Sequence, residues 1–122
     1  DTDWTIRMRN AGYPLHFDPS IVVTHAPDRV TRQDVYRHWY NAGYNNIRVR
    51  FRHQREYEMP RFTRYPFWLR LFSPLVAAFI TARLFSQSIY WSYWKTIPAV
   101  YATKVIYCWS AARSIEDGFA TS

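Results

Sequence analysis

Leu15-His16-Phe17-Asp18-Pro19-Ser20-Ile21-Val22-Val23-Thr24 is the stretch whose reading decides the fold class of this 122-residue chain. Leu15-His16-Phe17 alternates like a short strand, Asp18-Pro19-Ser20 has turn chemistry, and the β-branched run of residues 21–24 reads as a buried strand. Because a two-stranded unit alone is marginal in water, the expected hairpin would form the edge of a sheet whose other strands lie outside this sequence. A helix over residues 2–11 precedes it, with Trp4, Met8 and Ala11 on one side and Gly12 as a left-handed C-cap. Asp1 and Asp3 stand at the mouth of that helix, where backbone donors are free and negative charge is favoured. Two such carboxylates serve either as caps or as a catalytic base.

The order Asp1-x-Asp3-Trp4-x-x-Arg7, then Ala11-Gly12-Tyr13, Phe17-x-Pro19, Val22-Val23 and His25 resembles the acceptor half of family 2 glycosyltransferases with the GT-A fold. In that family a Glu usually precedes the catalytic Asp; Asp1 matches the Asp and the Glu is absent. The resemblance implies Asp1 as general base, Asp3 and Trp4 at the acceptor, and His25 near the metal on the donor diphosphate. Arg32 and Arg37 are implied at the diphosphate, since Gln33, Arg37 and Trp39 resemble, with different spacing, a Gln-x-x-Arg-Trp motif of membrane-bound members. A divalent metal, Mg or Mn, is implied for a longer parent enzyme and is not expected to bind this fragment alone. A lone histidine at a strand end is otherwise a hydrogen-bonded structural residue, and Arg37 is equally readable as a solvated helix residue.

Downstream, Thr31-x-x-Asp34 forms a capping box for a second helix, expected over residues 31–42 and stopped by Gly43. Residues 48–64 contain six arginines. Arg48, Arg50 and Arg52 alternate with Ile47, Val49 and Phe51, a period-two pattern that would place three guanidinium groups on one face of an extended segment. No RNA-binding signature or zinc pair accompanies them, so a nucleic-acid partner is not expected.

Composition changes at Met59-Pro60. Between Glu58 and Glu116 there is no acidic residue but there are seven basic ones, and Trp68, Trp91, Trp94 and Trp109 are interleaved with Tyr and Phe. Cations and amphipathic aromatics without carboxylates are what an anionic lipid interface selects. Arg64, Trp68, Arg70, Arg83, Trp91, Trp94, Lys95 and Trp109 are the candidate membrane-binding residues. The uncharged run of residues 71–82 falls short of the roughly 20 residues needed to span unless Arg70 and Arg83 snorkel. Residues 89–109 carry Lys95, Pro98 and Lys104, so two helices in the headgroup zone explain this tail better than two full crossings. An aromatic-rich soluble hairpin packed on another domain is the remaining alternative.

The formal charge of +7 points to anionic partners, and the single Cys108 excludes an internal disulfide. The expected fold class is therefore an α+β fragment, with an incomplete GT-A-like acceptor half over residues 1–58 and a membrane-associated amphipathic helical region over residues 59–122. Two functions follow. In one, the chain is part of an inverting glycosyltransferase on the cytoplasmic face of a membrane, inactive as 122 residues alone, taking a nucleotide-sugar and a glycan or lipid-linked acceptor. In the other, it is a non-catalytic membrane-associated subunit that stabilises a larger integral complex through a protein partner.

Overall fold

The computed structural model of the chain describes residues 2–24, 31–57 and 59–118. Four α-helices carry the fold: α1 (Thr2–Asn10), α2 (Arg32–Arg52), α3 (Pro66–Phe85) and α4 (Ile97–Glu116). Two 3₁₀ helices, Arg61–Arg64 and Ser88–Thr96, lead into α3 and join α3 to α4. No strand occurs among the described residues, which overturns the expected α+β class and its β-hairpin. The Asp-Pro-Ser turn does form: Asp18 Oδ1 accepts from the Ser20 backbone N–H at 2.9 Å and from its hydroxyl at 2.7 Å. The flanking arms stay unpaired, with Phe17, Val22 and Val23 fully open to solvent. Branched side chains favour a strand only where a neighbouring strand supplies hydrogen bonds and a packing surface, and the described residues supply none.

The N-terminal helix ends as its sequence dictates, with Gly12 at a φ of 86° and the Ala11 N–H returning to the Arg7 carbonyl at 3.0 Å. The capping box before α2 is also formed. Asp34 N–H donates to Thr31 Oγ1 at 3.2 Å, and the Thr31 hydroxyl and backbone N–H donate to Asp34 Oδ2 at 2.6 and 3.1 Å, holding the Asp34 carboxyl below its usual range.

Gly43 does not stop α2, which runs on to Arg52. Its missing side chain serves tertiary packing: a β-carbon there would collide with Ser110 Oγ and the Tyr107 carbonyl oxygen on α4. Consequently Arg48, Arg50 and Arg52 share no extended face, because helical steps of 100° put Arg50 opposite the other two. Arg48 donates to Ser114 Oγ and to Tyr44 Oη, both at 2.9 Å. The Arg50 guanidinium lies 5.4 Å from the Tyr57 ring centre, and Arg52 reaches Asp3 at 3.1 Å.

Both α2 and α3 pack along α4, so the core crosses the composition change at Met59-Pro60. It is built from Ile47, Leu69, Cys108, Ala111 and Ala112. The largest fully buried side chains are Ser73, Ser110 and Ser114. Small residues let helix backbones approach closely, and several of their hydroxyls bond to a carbonyl of their own helix. Thr103 bonds to the Val100 carbonyl at 2.7 Å and Ser110 to the Tyr107 carbonyl at 2.9 Å.

Candidate membrane interface

The pattern of α3 is inverted relative to a water-soluble helix. Leu69, Ser73, Ala77 and Thr81 recur every four residues and face α4, each 5% exposed or less. Phe67, Leu71, Leu75 and Phe79, offset by two residues or about 200°, are between 54% and 68% exposed. A helix that packs in water buries its large apolar stripe. Association in lipid has no hydrophobic drive between helices and instead uses small residues at the contact, with large apolar ones outside. With 20 residues, α3 is long and apolar enough to cross a membrane, about 30 Å at 1.5 Å per residue. Counting only the uncharged run of residues 71–82 missed this, since Arg70 and Arg83 lie near the two ends of the helix.

Pro74 sits inside α3 and has no N–H for the Arg70 carbonyl four residues before it. Ser73 fills the gap, its hydroxyl donating to that carbonyl at 2.7 Å while accepting the Trp109 indole N–H from α4 at 3.0 Å. One relay thus occupies the carbonyl that Pro74 leaves without its helical donor and fastens the two helices. At the same end Arg70 makes a two-pronged bridge to Glu116, at 2.6 and 2.7 Å.

The expected membrane-binding residues fall into two groups separated by the length of α3. Arg64, Trp68 and Arg70 stand near its start, with Trp109 one turn inward. Arg83, Trp91, Trp94 and Lys95 gather at the far end, on and around the second 3₁₀ helix. There Trp91 donates its indole N–H to the Phe85 carbonyl at 2.9 Å, closing the C-terminus of α3, and Lys95 lies 5.9 Å from the Trp94 ring centre. At the first end Arg70 pairs with Glu116 and Arg113 with Asp117, while Arg64 donates to Gln54; Arg83 and Lys95 have no carboxylate partner among the described residues. Aromatic and cationic girdles at both ends of an apolar helix match the two boundaries of a bilayer.

Among the described residues, those assigned by the glycosyltransferase resemblance do not converge. Asp1 and His25 lie outside the described residues. Asp3 accepts from His53 Nε2 at 2.7 Å and from Arg52; the bond from His53, then Arg52, holds its carboxyl below the usual range. Its role is to tie α1 to the end of α2, helped by an Arg9–Glu56 ion pair. Trp4 is exposed. Arg32 and Arg37 rim a shallow depression with Tyr36, Tyr40 and Ile106. At least 15 residues of α2, about 22 Å at helical rise, separate these arginines from Asp3. No group of three or more His, Cys, Asp or Glu that could hold a metal occurs among the described residues.

What sequence reading missed is a groove between α2 and α3, floored by α4. Its volume is about 420 Å³, and Trp39, Ile47, Leu69, Val76, Lys104 and Ala111 contribute to its lining. Lys104 Nζ lies 3.9 Å from the Trp39 ring centre. The one available signal was Lys104 itself, a lone cation at mid-helix. Comparison of the chain with known protein families, characterised proteins and solved structures gives no match.

Proposed function

We propose that this chain is a non-catalytic, membrane-associated subunit that packs within a larger integral membrane complex. The observation that carries this reading is the inverted α3, with small residues against α4 and Phe67, Leu71, Leu75 and Phe79 outward. In this reading α3 crosses the bilayer, with α4 alongside it. The end bearing Arg61, Arg64, Arg70 and Arg113 faces the cytoplasm, because it carries more cations than the end of Arg83 and Lys95 and the more cationic flank is retained on that side. A partner follows from α2. Its outer face carries Arg37, Asn41 and Asn45, exposed at the depth of α4, and a helix cannot present such groups to hydrocarbon. Protein from the rest of the complex covers that face, while α3 meets lipid.

The test is fractionation of source membranes. Extraction at alkaline pH is expected to leave the chain in the membrane pellet. In mild detergent it is expected to migrate on native gels far above its own 14.7 kDa. Release by alkaline extraction would refute the crossing, and migration as a lone chain would refute the complex.

A further inference from the structure

The groove between α2 and α3 fits a ligand. We propose that it binds one membrane lipid with an anionic headgroup, held at Lys104, whose acyl chain lies along Leu69, Val76 and Ile80.

Shape comes first. Both α2 and α3 pack on α4, and the space between them stays open as a trough of about 420 Å³, within the range of small-ligand sites. From Leu69 to Ile80 the α3 wall runs 11 residues, about 17 Å, comparable with one leaflet of a hydrocarbon core some 30 Å thick. An extended acyl chain matches that length and the apolar lining of Leu69, Val76, Ile80 and Ala111.

Charge decides the headgroup. Lys104 is half-buried, and no carboxylate lies among the groove-lining residues. Its ammonium is held against the Trp39 face at 3.9 Å, a contact that positions the cation and leaves its charge uncompensated. A cation inside an otherwise apolar segment is costly unless it meets an anion. Lys104 lies level with the Ile80 end of the groove, since Ser73 meets Trp109 and Arg70 meets Glu116 in the antiparallel pair. From there a lysine reaches the headgroup layer beside the second 3₁₀ helix. The Cys108 and Ala111 floor and the Leu69 wall are apolar and suit the tail; Arg50, the other cation lining the groove, has its guanidinium 5.4 Å from the Tyr57 ring centre.

This inference rests on the membrane reading for the source of the lipid, and the test keeps the two apart. The full chain, in neutral detergent, is titrated with phosphatidylglycerol, with phosphatidylcholine of the same acyl chains, and with glycerol phosphate, which has no tail. Native mass spectrometry reads the number bound. One phosphatidylglycerol per chain is expected, with phosphatidylcholine weaker by about five- to tenfold, as one cation-to-headgroup contact allows, and no glycerol phosphate. Lys104→Gln should remove the headgroup preference and Lys104→Arg restore it. Ile80→Trp, a groove-filling change at a partly exposed position, should abolish retention of both lipids with helicity unchanged by circular dichroism. Equal binding of both lipids by the wild-type chain would overturn the proposal. So would stoichiometric glycerol phosphate binding, or lipid retention unaltered by Ile80→Trp. Alkaline extraction of the same variants reads the membrane reading separately.

Discussion

Two helices of nearly equal length, α2 with 21 residues and α3 with 20, pack on the same α4 and solve the contact in different ways. On α2 the buried positions are Gly43 and Ile47, and arginines and asparagines occupy the outer surface. On α3 the buried stripe after Leu69 is small or polar, and the outer surface is phenylalanine and leucine. The inner faces are alike because both must approach α4 closely. In the proposed function the outer faces differ because they meet different surroundings: protein for α2, hydrocarbon for α3. The outer surface, more than the core, therefore states where each helix resides.

The comparison breaks most completely at the α2 contact. Gly43→Leu would drive a side chain into Ser110 and the Tyr107 backbone, and no rotamer of the new residue avoids the α4 main chain. Overpacking on this scale is expected to cost more than about 3 kcal/mol and to detach α2 while leaving the α3–α4 pair helical. Limited proteolysis, with new cleavage inside residues 32–52 and an intact 66–116 fragment, checks this. Simultaneous loss of both helices would show that the two contacts are not separable.

Leu75→Arg tests the outer face of α3. Near the middle of a spanning helix the exchange should oppose insertion by about 3 kcal/mol, yet the same side chain in water would be nearly neutral. Reduced retention after alkaline extraction, with unchanged helicity in detergent, is the expected result. Full retention would place this face against protein. The corresponding exchange on α2, Asn45→Arg, should leave extraction unaffected.

A smaller effect is expected from Ser73→Ala, which removes the bridge between the Trp109 indole and the Arg70 carbonyl. Two polar groups lose a partner, at about 1–2 kcal/mol, and Trp109 becomes freer. A lower melting temperature in detergent and faster exchange of the Trp109 indole proton would both register the change. Ser73→Thr, which keeps the hydroxyl, should retain most of the stability if its methyl is accommodated.

The smallest effect concerns α1. Asp3 is held below its ordinary value of 3.8 by His53 and Arg52, so protonation opposes docking of α1. The stabilisation is fully present above that ordinary value and is lost as pH falls through the lowered one. Amide exchange in residues 2–10 should accelerate as pH drops below about 3.8 after correction for intrinsic rates, while α3 and α4 stay protected. Asp3→Asn should show the faster exchange already at neutral pH.

Local chemistry was legible wherever it was self-contained. The helix of residues 2–11 with Gly12 as its cap, the Thr31–Asp34 capping box and the Asp18-Pro19-Ser20 turn depend on groups a few residues apart, so the sequence determined them. It also determined the acid-free, aromatic and basic character of residues 59–115, because composition does not depend on who touches whom. Only the tertiary structure decided the rest. Val22 and Val23 needed a strand partner, and without one they form no sheet. Gly43 reads as a stop until α4 is placed against it, whereupon it is a close-contact site inside a longer helix, and the alternating arginines become helical with it. The four-residue spacing of Leu69, Ser73, Ala77 and Thr81 was always present in the sequence. Which face of α3 turned inward depended on the seam of small residues waiting on α4, since close backbone approach is possible only where both helices lack bulk.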